Sequence, residues 1–218
     1  MRAAALSVLF VLLLAAAPRL ARADDDPSTG KLLLAGAGMA VPTYFLGVIW
    51  HEGTHAVAAK AFGAELLELR LYPSMYQGHF YFGLTRWTGD LTPGEKAFTL
   101  VAPKLTDLLL LGGYTLVVAF DSLPENDYGA LALTVLATGA WVDFGKDLFS
   151  RNPTNDLIKF HALYGRSSEW QRLPWRLLQA SVAAGGAYVL ALGYQDVFGD
   201  DGDDAPPPIM FQLAGGTF

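Results

Sequence analysis

Long unbroken apolar blocks, rather than narrow amphipathic stripes, organise this chain. Four follow one another, at about residues 31–62, 97–120, 128–149 and 175–194. Each is long enough, at about 1.5 Å of helix rise per residue, to cover a bilayer core of about 30 Å. The segment between the first two has a different period. Residues 65–72 partly alternate, residues 79–84 are aromatic and β-prone, and Pro73, Gly78 and Gly89 punctuate them. That pattern predicts one or two β-hairpins lying at the membrane or dipping into it. The expected fold class is therefore mainly α: a polytopic membrane protein with about four transmembrane helices and a short β-hairpin region between the first two. No internal repeat is visible.

The two ends read differently. Arg2, the apolar run 3–17 and Ala21-Arg22-Ala23, followed by Asp24, Asp25 and Asp26, have the form of a secretory signal peptide over residues 1–23. Residues 24–196 form the expected membrane-embedded domain. Residues 197–218 hold an acidic cluster and Pro206-Pro207-Pro208, which predicts a disordered tail.

Composition agrees with a membrane setting and narrows the chemistry. Of 218 residues, 52% are hydrophobic and only 17% charged, below the share usual in soluble domains. The net charge of -6 gives no reason to expect a nucleic-acid partner. The absence of cysteine excludes disulfides, a thiolate-bound metal and a thiol nucleophile. Basic residues fall in the 61–96 and 149–174 loops, whereas the 121–127 loop is purely acidic. Positive-inside reasoning puts the basic loops in the cytoplasm and both chain ends outside. The expected location is the inner (cytoplasmic) membrane of a bacterium, with the lipid bilayer as one partner.

One pentapeptide carries chemistry. In His51-Glu52-Gly53-Thr54-His55, an HExxH motif, the histidines are four apart and share a helix face. They can hold zinc, which acidifies a water whose proton the adjacent Glu52 can accept. The motif closes an apolar segment, where ionisable groups are costly and usually functional. A catalytic zinc takes three protein ligands. His79, His161, Asp107, Asp143, Asp147 and Asp156 are the candidates for the third. His79 reads as a surface or packing residue, and His161 as part of a helix face. Asp107 can pair with Lys104, and Asp143 with Lys146. Asp143, Asp147 and Asp156 fall on the same membrane side as the motif. Thr154, Asn155 or Asp156 can also cap a helix starting near Leu157.

HExxH at the end of a span resembles the site-2 protease family of intramembrane zinc metalloproteases. Gly63-Ala64-Glu65-Leu66-Leu67-Glu68 is similar to the short strand after that family's first catalytic helix. Residues 95–103, ending Ala102-Pro103, are similar to the start of its second core helix; Thr106 or Asp107 stands near the family's Asn. Asn152-Pro153-Thr154-Asn155-Asp156 corresponds to the family's Asp-bearing segment, without its Leu-Asp-Gly. The resemblance spans about residues 31–160. It implies a zinc-dependent endopeptidase with His51, His55 and Asp156 as metal ligands and Glu52 as the catalytic base. Its substrate would be a transmembrane segment of a membrane protein, locally unwound because helical amides are blocked by their own hydrogen bonds. The missing Leu-Asp-Gly keeps open an alternative, a catalytically inactive protease-like membrane scaffold.

Overall fold

The structure is a computed structural model that describes residues 27–199. The signal-peptide expectation for residues 1–23 and the tail beyond residue 199 lie outside the described residues. Within them are five helices: α1 (Thr29–Ala61), α2 (Pro93–Ala119), α3 (Asp127–Gly145), α4 (Asp156–Leu163) and α5 (Glu169–Phe198). Four short strands, β1 (Glu65–Arg70), β2 (Ser74–Tyr76), β3 (His79–Tyr81) and β4 (Leu84–Thr88), lie between α1 and α2.

Helix starts follow local chemistry. Thr92 and Glu95 satisfy each other's backbone amides at the head of α2, with Pro93 in the first turn. Ser168 and Gln171 do the same for α5. Asn126 caps α3 by accepting from the Gly129 amide at 2.7 Å.

α1, α2 and α5 are each long and apolar enough to cross a membrane, by length and composition. They leave large apolar side chains uncovered, among them Leu34 (78% exposed), Leu109 (76%) and Leu177 (58%). The third expected span is different. α3 has 19 residues and packs between the three long helices, so it can carry Thr134 and Thr138 facing its neighbours. α5 runs to Phe198, so helix continues two residues into the segment expected to be tail.

Contacts fix the relative directions. Gly36 lies beside Leu131, Gly139 beside Thr43 and His51 beside Asp143, so α1 and α3 run in parallel. Tyr114 Oη lies 2.8 Å from Thr134 Oγ1, while Lys104 pairs with Asp143, so α2 is antiparallel to α3. Trp141 Nε1 donates to the Ala183 carbonyl and Gln179 Nε2 to the Phe144 carbonyl, which turns α5 the same way as α2. The directions thus alternate along α1, α2, α3 and α5.

The apolar core follows α3. Leu131, only 1% exposed, packs with Leu32 of α1 and Val197 of α5. Tyr114, Ala137, Val189 and Leu190 form the next cluster, and Leu111, Ala140 and Phe144 the one nearest the polar end.

The strands form two nested hairpins, as the alternation predicts. β1 pairs antiparallel with β4, from Glu65 opposite Thr88 to Arg70 opposite Leu84, with a bulge between Leu66 and Glu68. β2 and β3 form the inner hairpin. Its two turn residues, Gln77 and Gly78, both have positive φ (49° and 78°), the conformation that matches strand twist in a tight hairpin. Glu68 bridges β1 and β4 by binding Arg70 at 2.6 Å and Arg86 at 3.3 Å. Those partners hold its carboxyl below the ordinary value.

Candidate metal centre

His51 and His55 sit one turn apart near the end of α1, with ring centroids 5.0 Å apart. Each imidazole is oriented through Nδ1. For His51 the partner is the Asp143 carboxylate of α3, at 2.8 Å. For His55 it is the Thr99 carbonyl of α2, at 2.7 Å. That carbonyl is free for a reason written in the sequence. Its helical donor would be the amide of residue 103, and Pro103 has none. Trp87 of β4 stacks on the other side of His55, at 5.9 Å between centroids and 29° between planes.

With both Nδ1 atoms donating, both Nε2 atoms present lone pairs. These converge on Asp156 Oδ2, 3.1 Å from His55 Nε2 and 3.7 Å from His51 Nε2. Asp156 is the first residue of α4. The capping role expected of this stretch falls to Asn155, whose Oδ1 accepts from the amides of Leu157 (3.1 Å) and Ile158 (3.3 Å). The Asp156 carboxylate is thereby left for the histidines, with Lys159 3.2 Å from its other oxygen. Burial by itself would raise the Asp156 carboxyl. With a proton rather than a metal between them, hydrogen bonds from His51 and His55, with the charges of His55 and Lys159, outweigh it and hold the group well below the usual carboxylate range.

His51, His55 and Asp156 thus form a group able to hold a metal ion, with one donor atom from each all within 4.8 Å of one another. Three electron-rich atoms facing each other need a proton or a cation between them. Their spacing suits the cation: ligands about 2.0–2.1 Å from a tetrahedral centre lie about 3.3 Å apart, close to the 3.1 and 3.7 Å found.

Glu52 occupies the neighbouring position on α1. Thr85 Oγ1 lies 2.7 Å from its Oε2 and 2.9 Å from its carbonyl oxygen, which ties the α1 terminus to β4. Gly83, just before β4, sits so close that a Cβ there would lie 2.5 Å from Glu52 Cγ and 2.9 Å from Oε1. Two cavities meet at this residue. One, of about 290 Å³, lies on the hairpin side and is lined also by His55, Trp87 and Asp156. The other, of about 660 Å³ and mostly apolar, runs between α1 and α3 past Gly36, Ala40 and Gly139 and ends at His51 and Asp143.

The other candidates fall elsewhere. Asp143 is the orienting partner of His51 and also pairs with Lys146, as its spacing suggests. Asp147 lies 2.9 Å from Lys104 and accepts from Asn155 Nδ2 at 2.7 Å. Asp107 lies 3.9 Å from Lys104. His79 is exposed on β3. His161 is buried in α4 near Trp175 and stands outside the group of His51, His55 and Asp156. Sequence reasoning missed Thr85, the Thr99 carbonyl and the central position of Lys104. Only the second had a local signal, Pro103 within an apolar helix. Comparison with protein-family models, with curated proteins and with solved structures finds no match to this chain.

Proposed function

We propose that this chain is a zinc-dependent intramembrane endopeptidase that cuts transmembrane segments of membrane proteins, with α1, α2, α3 and α5 as its spans. The observation that carries the reading is the convergence of His51, His55 and Asp156, with Glu52 beside them where two cavities meet. Two imidazoles and one carboxylate form a donor set that suits zinc and leaves a coordination position open. A zinc ion held there supplies a Lewis acid that polarises the scissile carbonyl and acidifies water.

The chain's own groups do the rest. Glu52, held by Thr85, accepts a proton from the attacking water and returns it to the leaving amine. Asp143 and the Thr99 carbonyl keep both histidines in the tautomer that ligates through Nε2. The apolar cavity between α1 and α3 offers a path from the lipid phase to Glu52. The ribbon of β1 and β4 has strand edges without a strand partner among the described residues, suited to an unwound peptide.

The test is cleavage of a model transmembrane substrate by the purified protein, together with its zinc content. Glu52→Gln should retain zinc and lose cleavage by about 10²–10⁴-fold, the range general acid–base catalysis contributes. A Glu52→Gln protein as active as the wild type would refute the assigned base. A zinc-loaded wild type that cleaves no membrane substrate would favour the scaffold.

A further inference from the structure

A second polar layer lies behind the metal-binding group, and one residue joins its parts. Lys104 of α2 is 5% exposed, an ammonium buried among helices. Its Nζ lies 3.2 Å from Asp143 Oδ2, 2.9 Å from Asp147 Oδ2 and 3.9 Å from Asp107 Oδ2, and also donates to the Asp143 backbone carbonyl. The same Asp143 oxygen accepts from His51 Nδ1. Asp147 in turn accepts from Asn155 Nδ2, the side chain that caps α4 immediately before Asp156. From Lys104, one branch therefore leads through Asp143 to the ligand on α1. The other leads through Asp147 and Asn155 to the ligand on α4.

We propose that Lys104 is the positioning residue of the metal centre, a buried cation that sets the geometry of His51 and Asp156 together without touching the metal. This rests on reading His51, His55 and Asp156 as a metal site. The physical need is direct. Asp143, Asp147 and Asp107 converge in a buried region where like charges repel strongly, and Asp107 Oδ2 has no hydrogen-bond partner among the described residues. Without a cation among them, Asp143 and Asp147 would separate. Asp143 would then cease to fix His51 Nδ1–H, and Asp147 would release Asn155. The two ligands lie 105 positions apart in the chain, on two different helices that bring them together at the site. A shared partner on α2 gives them a common reference. Lys146, exposed to solvent and paired with Asp143 alone among the described residues, cannot replace it, because it has no partner there on the Asp147 branch.

The experiment uses Co²⁺ as a spectroscopic probe of the purified, metal-stripped full chain, read by its visible d–d bands. Wild type should bind one Co²⁺ with a tetrahedral spectrum. Lys104→Met should remain helical by far-UV circular dichroism, bind Co²⁺ about 10–100-fold more weakly, the usual cost of losing an outer-layer partner, and give shifted d–d bands. A residue that only holds helices together would lower thermal stability yet leave the folded protein's spectrum and affinity unchanged, and that result overturns the proposal. If Lys104→Met does not fold, Lys104→Gln, whose amide can still donate to one carboxylate, and the isosteric Asp147→Asn must show the same weakening and band shift. Wild-type spectra in either variant overturn it equally. If the wild type itself binds no Co²⁺, the reading of the metal site fails first and the role of Lys104 with it.

Discussion

The two ends of the helix bundle use the same helices and opposite chemistry. At one end Leu32, Leu131 and Val197 pack α1, α3 and α5 together, with Tyr114 and Thr134 as a neutral hydroxyl pair nearby. Gly193 lies against that Tyr114 hydroxyl so closely that no side chain fits between them. At the other end α1, α2 and α3 meet through His51, Lys104, Asp143 and Asp147. Apolar contacts are non-directional and keep their value after small shifts. A buried ionic cluster is strong only when every member is in place. The apolar end can therefore set the bundle, while the polar end is bound to one arrangement.

That contrast can be broken experimentally. Asp156→Ala should have the largest effect: loss of stoichiometric zinc by elemental analysis, with helical content preserved, because Asp156 contributes to the site and Asn155 to the helix cap. A variant that binds zinc as tightly as wild type would remove Asp156 from the ligand set. Leu131→Ala, at the opposite end, should reverse the pattern. It should cost about 2–5 kcal/mol of stability in a detergent unfolding titration, with zinc affinity of the folded protein unchanged. Zinc loss in that variant would show that the two ends are coupled.

The smallest effect sharpens the contrast through His161, a buried titratable group belonging to neither end. Burial, and then the charges of Arg166, Arg172 and Arg176, hold its imidazole below the ordinary 6.5. The folded protein holds this histidine neutral to a lower pH than the unfolded chain, which takes up its proton near pH 6.5. Stability from this group is therefore complete above that pH and declines as pH falls below it. Thermal unfolding of His161→Leu and wild type, both metal-free, should show a shallower acid decline in the variant. Equal slopes would dismiss the effect.

Legibility in the sequence tracks distance along the chain. The i, i+4 spacing of His51 and His55 and the nested hairpins are local patterns and were readable directly. The third expected span was readable as a helix, though its 19 residues make it shorter than the other three. Asp156 could be singled out only by resemblance, since spacing left Asp143 and Asp147 equally open. The role of Asp143 depends on His51, 92 positions away, and the Lys104 contact spans 39. No local period encodes such pairs; the packing of α1, α2 and α3 creates them.

Pro103 makes the two histidines unequal. His51 shares its Nδ1 proton with a carboxylate, whereas His55 shares its own with a backbone carbonyl, the weaker acceptor. A metal bound between them would meet one strong and one ordinary nitrogen donor. The two Nδ1 protons should then resonate at distinct frequencies in a magnetic resonance spectrum, the one facing Asp143 further downfield, so that a missing amide in α2 would be visible as an asymmetry in α1.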